Sequence, residues 1–136
     1  MRVAAAGLLL KRNQVLLCRR SANRRFYPNV WDLIGGHCEH DESPDQTLQR
    51  ELAEEIGIIV QESILLQVLK EPFPHLNGEY KYYVYLVTKW RGTPTNRQPD
   101  EHSEIRWLTI GKALNLDLAH PKYYDLLQKI QCLAEA

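Results

Sequence analysis

Apolar and polar positions along the chain change period several times, and each change marks an element. Two short apolar runs, VAAAGLLL and QVLLCRR, flank the turn KRN, the pattern of a β-hairpin. VWDLIGG predicts a further strand that runs into paired glycines. From Pro44 to Ile56 the period lengthens. Leu48, Leu52 and Ile56 recur at every fourth position, Ser43 stands where an N-cap belongs, Pro44 occupies the first turn and Gly57 follows the last, so this stretch predicts a helix. IGIIVQESILLQVLKEPF, EYKYYVYLVTKW and EIRWLTI are β-branched and aromatic and predict strands. PKYYDLLQKIQCLAEA predicts a closing helix with Tyr124, Leu127 and Ile130 turned inward. The sum is a mixed β-sheet flanked by at least two helices, an α+β or α/β sandwich. At 136 residues, 1–136 reads as one domain that buries a core without staples.

Composition narrows the partners only locally. Lys and Arg number 17, and so do Asp and Glu, so no overall charge points to a polyanion or a membrane surface. The distribution is uneven. Residues 1–25 hold Arg2, Lys11, Arg12, Arg19, Arg20, Arg24 and Arg25 and no acid, whereas residues 35–58 hold seven acids against Arg50 alone. Three cysteines at unrelated spacings make no disulfide framework and point to a reducing compartment, the cytoplasm. The opening apolar run is too short to span a bilayer and no small-residue cleavage site follows it, so it reads as a first strand.

The acids carry candidate chemistry. On the helix of residues 44–56, Glu51, Glu54 and Glu55 share a face roughly 110° from the apolar stripe at about 100° per residue. Acids in a last turn oppose the helix dipole at about 0.3 to 1 kcal/mol each. Arg50 reaches Glu54 at i,i+4, but nothing on the helix reaches Glu51 or Glu55. A solvated face normally alternates sign, whereas an oxygen-only cluster beside glycines suits a hard divalent ion, Mg²⁺ or Mn²⁺. His37, Cys38 and His40 find no second ligand pair elsewhere and read as loop positions instead of a zinc site.

Gly36, Glu42, Arg50, Glu51, Leu52, Ala53, Glu54, Glu55, Ile56, Gly57 and Ile58, at their spacing over residues 36–58, match without exception the signature of the Nudix hydrolases, G-x5-E-x7-R-E-U-x-E-E-x-G-U, where U is a bulky aliphatic. A chance match to its seven fixed residues is about one in 10⁸ at ordinary composition. What the resemblance implies is an α/β/α sandwich whose loop–helix–loop holds divalent metal and hydrolyses a diphosphate linkage in a nucleoside diphosphate derivative. It implies Glu51 and Glu55 as metal ligands, Glu54 as a ligand or a base acting through water, the Gly35 or Gly36 carbonyl as a further ligand, and Glu42, Arg50 and Gly57 as supports of the box. A non-catalytic nucleotide-binding module usually shows eroded box acids, and all of them are present here.

Outside the box, PDEHSEIRWLTI resembles a region of these enzymes in which a Glu six residues before a Trp assists metal or water, which makes Glu101 the candidate, with Glu104 its rival. Arg19, Arg24 and Arg25 precede the strand that leads into the glycines and are candidate phosphate contacts. In the aromatic strand one face is expected in the core, and Tyr83, from the other, is a candidate to stack on a base. The chain after the box resembles the MutT-like subgroup, which converts a nucleoside triphosphate to the monophosphate and pyrophosphate. His120, with Asn115 nearby, stands where that subgroup carries a purine-reading Asn, which argues against oxidised guanine. Pro74 and EPFPH resemble features of ADP-ribose and NADH hydrolases, and the basic N-terminal third suits an RNA 5′ end. Unpaired strand edges leave room for a homodimer.

Overall fold

In the computed structural model, which describes residues 1–135, the N-terminal hairpin splays and organises everything else. β1 (Arg2–Lys11) and β2 (Gln14–Arg20) pair only at the turn, Leu10 with Val15 and Lys11 with Gln14. Beyond it each strand recruits its own neighbours. β1 lies parallel to β6 (Tyr80–Arg91), which is antiparallel to β5 (Ile59–Lys70), while β2 takes β7 (His102–Thr109) antiparallel along its length. The expected mixed sheet is therefore present. VWDLIGG, expected as one strand, is divided: β3 (Trp31–Asp32) pairs with β2 and β4 (Ile34–His37) crosses to β1. Asp32 marks the crossing, its Oδ1 accepting the Leu33 N–H at 2.7 Å.

α1 (Pro44–Ile56) has the predicted bounds because its end signals are local. Ser43 Oγ accepts from Gln46 N and Gln46 Oε1 accepts from Ser43 N, a complete capping box, and Gly57 takes the left-handed conformation at φ 73° that ends the helix. Leu48, Leu52 and Ile56 are fully buried, worth roughly 1.5–3 kcal/mol each. They pack with Ala5, Leu9, Ile34, Tyr85 and Val87 on one face of the sheet. On the other, Leu8, Val15, Leu17, Val84 and Leu86 meet α4 (Lys122–Glu135) through Tyr123, Leu126, Leu127 and Ile130. Covered on both sides, β1 and β6 carry near-continuous apolar runs.

Tyr124, expected inward, is corrected: Tyr123 is the buried tyrosine, and Tyr124 is half-buried, its hydroxyl bridging Leu118 N and Leu116 O. The inward stripe is Tyr123, Leu126, Leu127 and Ile130, so the expected Leu127 and Ile130 hold their places and Tyr124 packs at the margin of the same cluster. Two single-turn helices, α2 (Pro74–Asn77) and α3 (Ile110–Ala113), are too short to show a period. β5 is an outer strand of the sheet and exposes Ile64, Leu65 and Val68. Among the described residues no helix is long and apolar enough to cross a membrane.

Candidate active site

The support of the box is a single guanidinium. Arg50 Nε and Nη2 donate to the two carboxylate oxygens of Glu42 at 2.7 and 2.9 Å, and Nη2 also donates to the His37 carbonyl at 3.1 Å. Nη1 donates to Glu51 Oε1 at 2.9 Å and to Glu54 Oε2 at 3.3 Å. Thr47 Oγ1 adds a 2.6 Å bond to Glu42. Hydrogen bonds from Arg50, then Thr47, hold Glu42 ionised, its pKa lowered to about 2. The expectation that nothing on the helix reaches Glu51 is corrected: adjacent helical positions face apart, but the long Arg50 side chain folds back and its fork spans both acids. Arg50→Met leaves Glu42 and Glu51 without their main partner, so it is expected to lower the melting temperature by several degrees in a thermal scan, with Lys restoring only part. A melting point equal to the unmodified protein's contradicts this bracing role.

The acids meet backbone on the inner side. A Cβ on Gly36 would fall 2.5 Å from the Glu51 carboxyl carbon, so glycine lets β4 run against that acid without displacing its side chain. Glu51 is largely shielded and its pKa is raised by that burial. Glu54 is open to solvent beside Arg50. Glu55 is 3 % exposed; burial raises its pKa to about 7, the hydrogen bond and charge of His102 oppose the rise, and Glu51 and Glu101 add to it. His102 Nε2 lies 2.9 Å from Glu55 Oε1, whereas Glu55 Oε2 is buried with no hydrogen-bond partner. Glu55, Glu101 and His102 each offer an atom within 4.8 Å of the others. A shielded carboxylate oxygen without a donor, beside two further acids and glycine backbone, is a donor set that fits a divalent cation.

The loop after β6 is sewn onto the helix end. Arg97 N donates to the Glu55 carbonyl at 2.9 Å and Thr95 N to that of Ile56 at 3.0 Å, while the Arg97 guanidinium lies against Gly57. A cation and two amides thus meet the negative end of the dipole, which has no basic residue of its own in the last turn.

A cleft of about 270 Å³ opens beside Gly35 and Gly36. Arg2, Arg20 and Arg24 line it together with Tyr27, Tyr80, Tyr82 and Tyr123. Tyr80 and Tyr82 stack at 5.3 Å between centroids and 13° between planes, and Arg2 lies 4.2 Å above the Tyr80 ring. At its base Glu71 accepts from the hydroxyls of Tyr27 and Tyr82, from Asn77 Nδ2 and from Phe73 N. Burial would raise the Glu71 pKa, but those donors outweigh it and hold the group low and ionised. A wider hollow of about 610 Å³ lies along Glu39, Glu42, Arg50 and Ile58 but includes neither glycine, Glu51 nor Glu55.

Of the candidates named from sequence, Glu51, Glu54 and Glu55 stand together on α1, and Glu101 lies beside Glu55; its rival Glu104 pairs on the strand with Arg106 at 2.7 Å. Arg24 lines the cleft. Arg19 and Arg25 do not: Arg19 turns to the Asn29 carbonyl and Arg25 lies over Phe26, and Arg20, the next residue of β2, lines the cleft instead. Tyr83 is on the opposite face, among the residues packed with α1, and Tyr80 and Tyr82 take the cleft. His120 lines the cleft with its ring, but Nδ1 accepts from Lys122 N and Nε2 donates to the Lys70 carbonyl, so neither nitrogen is free to read a base. His37 and His40 diverge, to Tyr80 and to Asp41. Sequence reading missed His102, Glu71, Tyr27 and Arg20. His102 had one available signal, its place directly after Glu101.

Comparison with known proteins is consistent with this geometry. A family model described as NUDIX domain matches residues 1–130. The 8-oxo-dGTP diphosphatase of Escherichia coli (strain K12) is 29% identical over 98% of this chain and 98% of its own length, and the CTP pyrophosphohydrolase of the same strain is 30% identical over 96% and 92%. The solution structure of the E. coli ORF135 protein superposes with a TM-score of 0.78 at 28% identity, covering 98% of this chain and 90% of that one.

Proposed function

This chain belongs to the Nudix family and is a pyrophosphohydrolase, and from that premise we propose that its substrate is a nucleoside triphosphate, cleaved to the nucleoside monophosphate and pyrophosphate. The observation that carries the reading is the cleft, in which stacked tyrosines and three arginines adjoin Gly35 and Gly36, the second of which abuts the box acid Glu51. At about 270 Å³ it sits just under the roughly 300–1,000 Å³ of small-molecule sites, a size that suits one base and sugar. The names of the two curated relatives, one a purine and one a pyrimidine nucleotide hydrolase, favour the same substrate class.

Nudix hydrolases generally need a divalent metal, and we take Mg²⁺ or Mn²⁺ as the ion. Glu51, Glu54 and Glu55, with a carbonyl of Gly35 or Gly36 and Glu101, would hold it. When bound it supplies positive charge against the phosphate oxygens and acidifies a water. The chain's own groups do the rest. Arg2, Arg20 and Arg24 neutralise and orient the phosphate chain, Tyr80 and Tyr82 offer ring faces to the base, and Glu54 or Glu101 accepts the proton of the attacking water. Glu42, Arg50 and Gly57 keep the loop and helix in register. Residues 1–136 work here as a single hydrolase domain in the cytoplasm.

The test is a panel of nucleoside triphosphates, ADP-ribose, NADH and triphosphorylated RNA with Mg²⁺ or Mn²⁺, followed by phosphorus NMR. Release of pyrophosphate from free triphosphates at the highest kcat/KM is expected. Faster cleavage of ADP-ribose or NADH, or orthophosphate as the first product, overturns the substrate assignment.

A further inference from the structure

His102 opens β7 and is 4 % exposed, an unusual burial for an imidazole, and it faces Glu55 from 47 residues away. Both ends of this contact are clamped by main chain. His102 N donates to the Gln98 carbonyl at 2.9 Å, the His102 carbonyl accepts from Asn96 Nδ2 at 2.8 Å, and Arg97 N holds the Glu55 carbonyl. An ionised carboxylate only accepts, so Nε2 carries the hydrogen and donates to Oε1. One oxygen of Glu55 is thereby committed to His102, while Oε2 is buried and without a hydrogen-bond partner.

We propose that His102 is a positioning residue: it fixes Glu55 so that Oε2 alone is presented to the divalent cation. The inference rests on Glu55 being a ligand. Outer donors of this kind orient a ligand, raise its basicity and typically contribute 10–100-fold to metal affinity. Two other roles fit a buried histidine near acids. His102 could ligate the ion itself, or fill space between β7 and α1. Direct ligation through Nε2 requires breaking the 2.9 Å bond to Glu55, and a space-filling role needs no donor at all.

The experiment is an Mn²⁺ titration of the substrate-free protein, read by electron paramagnetic resonance of free Mn²⁺, on the unmodified chain, H102Q, H102L and E55Q, each with its melting curve. H102L is expected to bind Mn²⁺ about 10–100-fold more weakly, and H102Q, whose amide places an N–H near the position of Nε2, to stay within about threefold of the unmodified protein. Electron spin-echo modulation of Mn²⁺ on the unmodified protein is expected to show no directly bound nitrogen, a reading that needs no variant to fold. Unchanged affinity in H102L, equal weakening in folded H102L and H102Q, or the modulation of a ligated imidazole overturns the proposal. E55Q separates the levels: if it binds Mn²⁺ normally, Glu55 is no ligand, whereas weakening in E55Q without weakening in H102L removes His102 alone.

Discussion

Glu55→Gln loses turnover by about 10³-fold or more in kcat while the protein stays folded, since deleting even one preorganised electrostatic contact costs roughly 10²–10³ and this change removes a full charge. The substitution is nearly isosteric at a site 3 % exposed. The amide oxygen still accepts from His102 Nε2 in the place of Oε1, so the clamp between β7 and α1 persists. What disappears is the negative charge on Oε2, the buried oxygen that has no protein donor. Steady-state kinetics on the preferred triphosphate, together with circular dichroism, measures both halves of the expectation. Turnover within tenfold of the unmodified enzyme contradicts the assignment of Glu55 as a ligand.

The same oxygen gives the second large effect, on stability. Burial raises the Glu55 pKa to about 7, against about 4.3 in an unfolded chain. Between those values the folded protein holds a proton that the unfolded chain has released. Charging Glu55 in the fold therefore costs stability that grows as pH rises from about 4.3 to 7 and is fully present above, on the order of 4 kcal/mol at about 1.4 kcal/mol per unit. Glu51 is shifted in the same direction. In metal-free buffer at pH 8, Glu55→Gln is therefore expected to melt above the unmodified protein by on the order of 10 °C, and the gap closes as pH falls toward 5. Millimolar Mg²⁺ or Mn²⁺ closes most of that gap at pH 8, stabilising the unmodified protein by about 2.7 kcal/mol at a hundred times Kd. The metal shift shrinks below pH 7, where the ion must displace a proton. Calorimetry across pH with and without metal reads all three; a gap that widens on acidification has the wrong sign for a buried carboxylate.

The helix end looked self-repelling from its sequence, and that observation was sound but incomplete. Periodicity placed three acids on one face, and their charge called for a cation. Two internal partners escaped it, Arg50 folding back on Glu51 and His102 arriving from another strand. Neither follows a helical spacing rule. The cleft shows the same limit. Strict alternation along YKYYVYLV divides its tyrosines between two faces, but which face meets the cleft depends on where α1 and α4 pack, and so Tyr80 and Tyr82, not Tyr83, line it. Along β2, likewise, it is Arg20 and not its neighbour Arg19 that reaches the cleft.

By itself the sequence determined the family, the mixed sheet with its flanking helices, and the bounds of α1, because caps, apolar stripes and the box spacing act between residues a few positions apart. Tertiary structure alone decided that Glu71 gathers Tyr27 and Tyr82 at the base of the cleft and that His102 holds Glu55. Those contacts join residues 11 to 47 positions apart, and they exist because hydrophobic burial on both faces of β1 and β6 brings remote strand ends to one edge. Local chemistry wrote the acids into the helix. Packing chose which of their oxygens stays free.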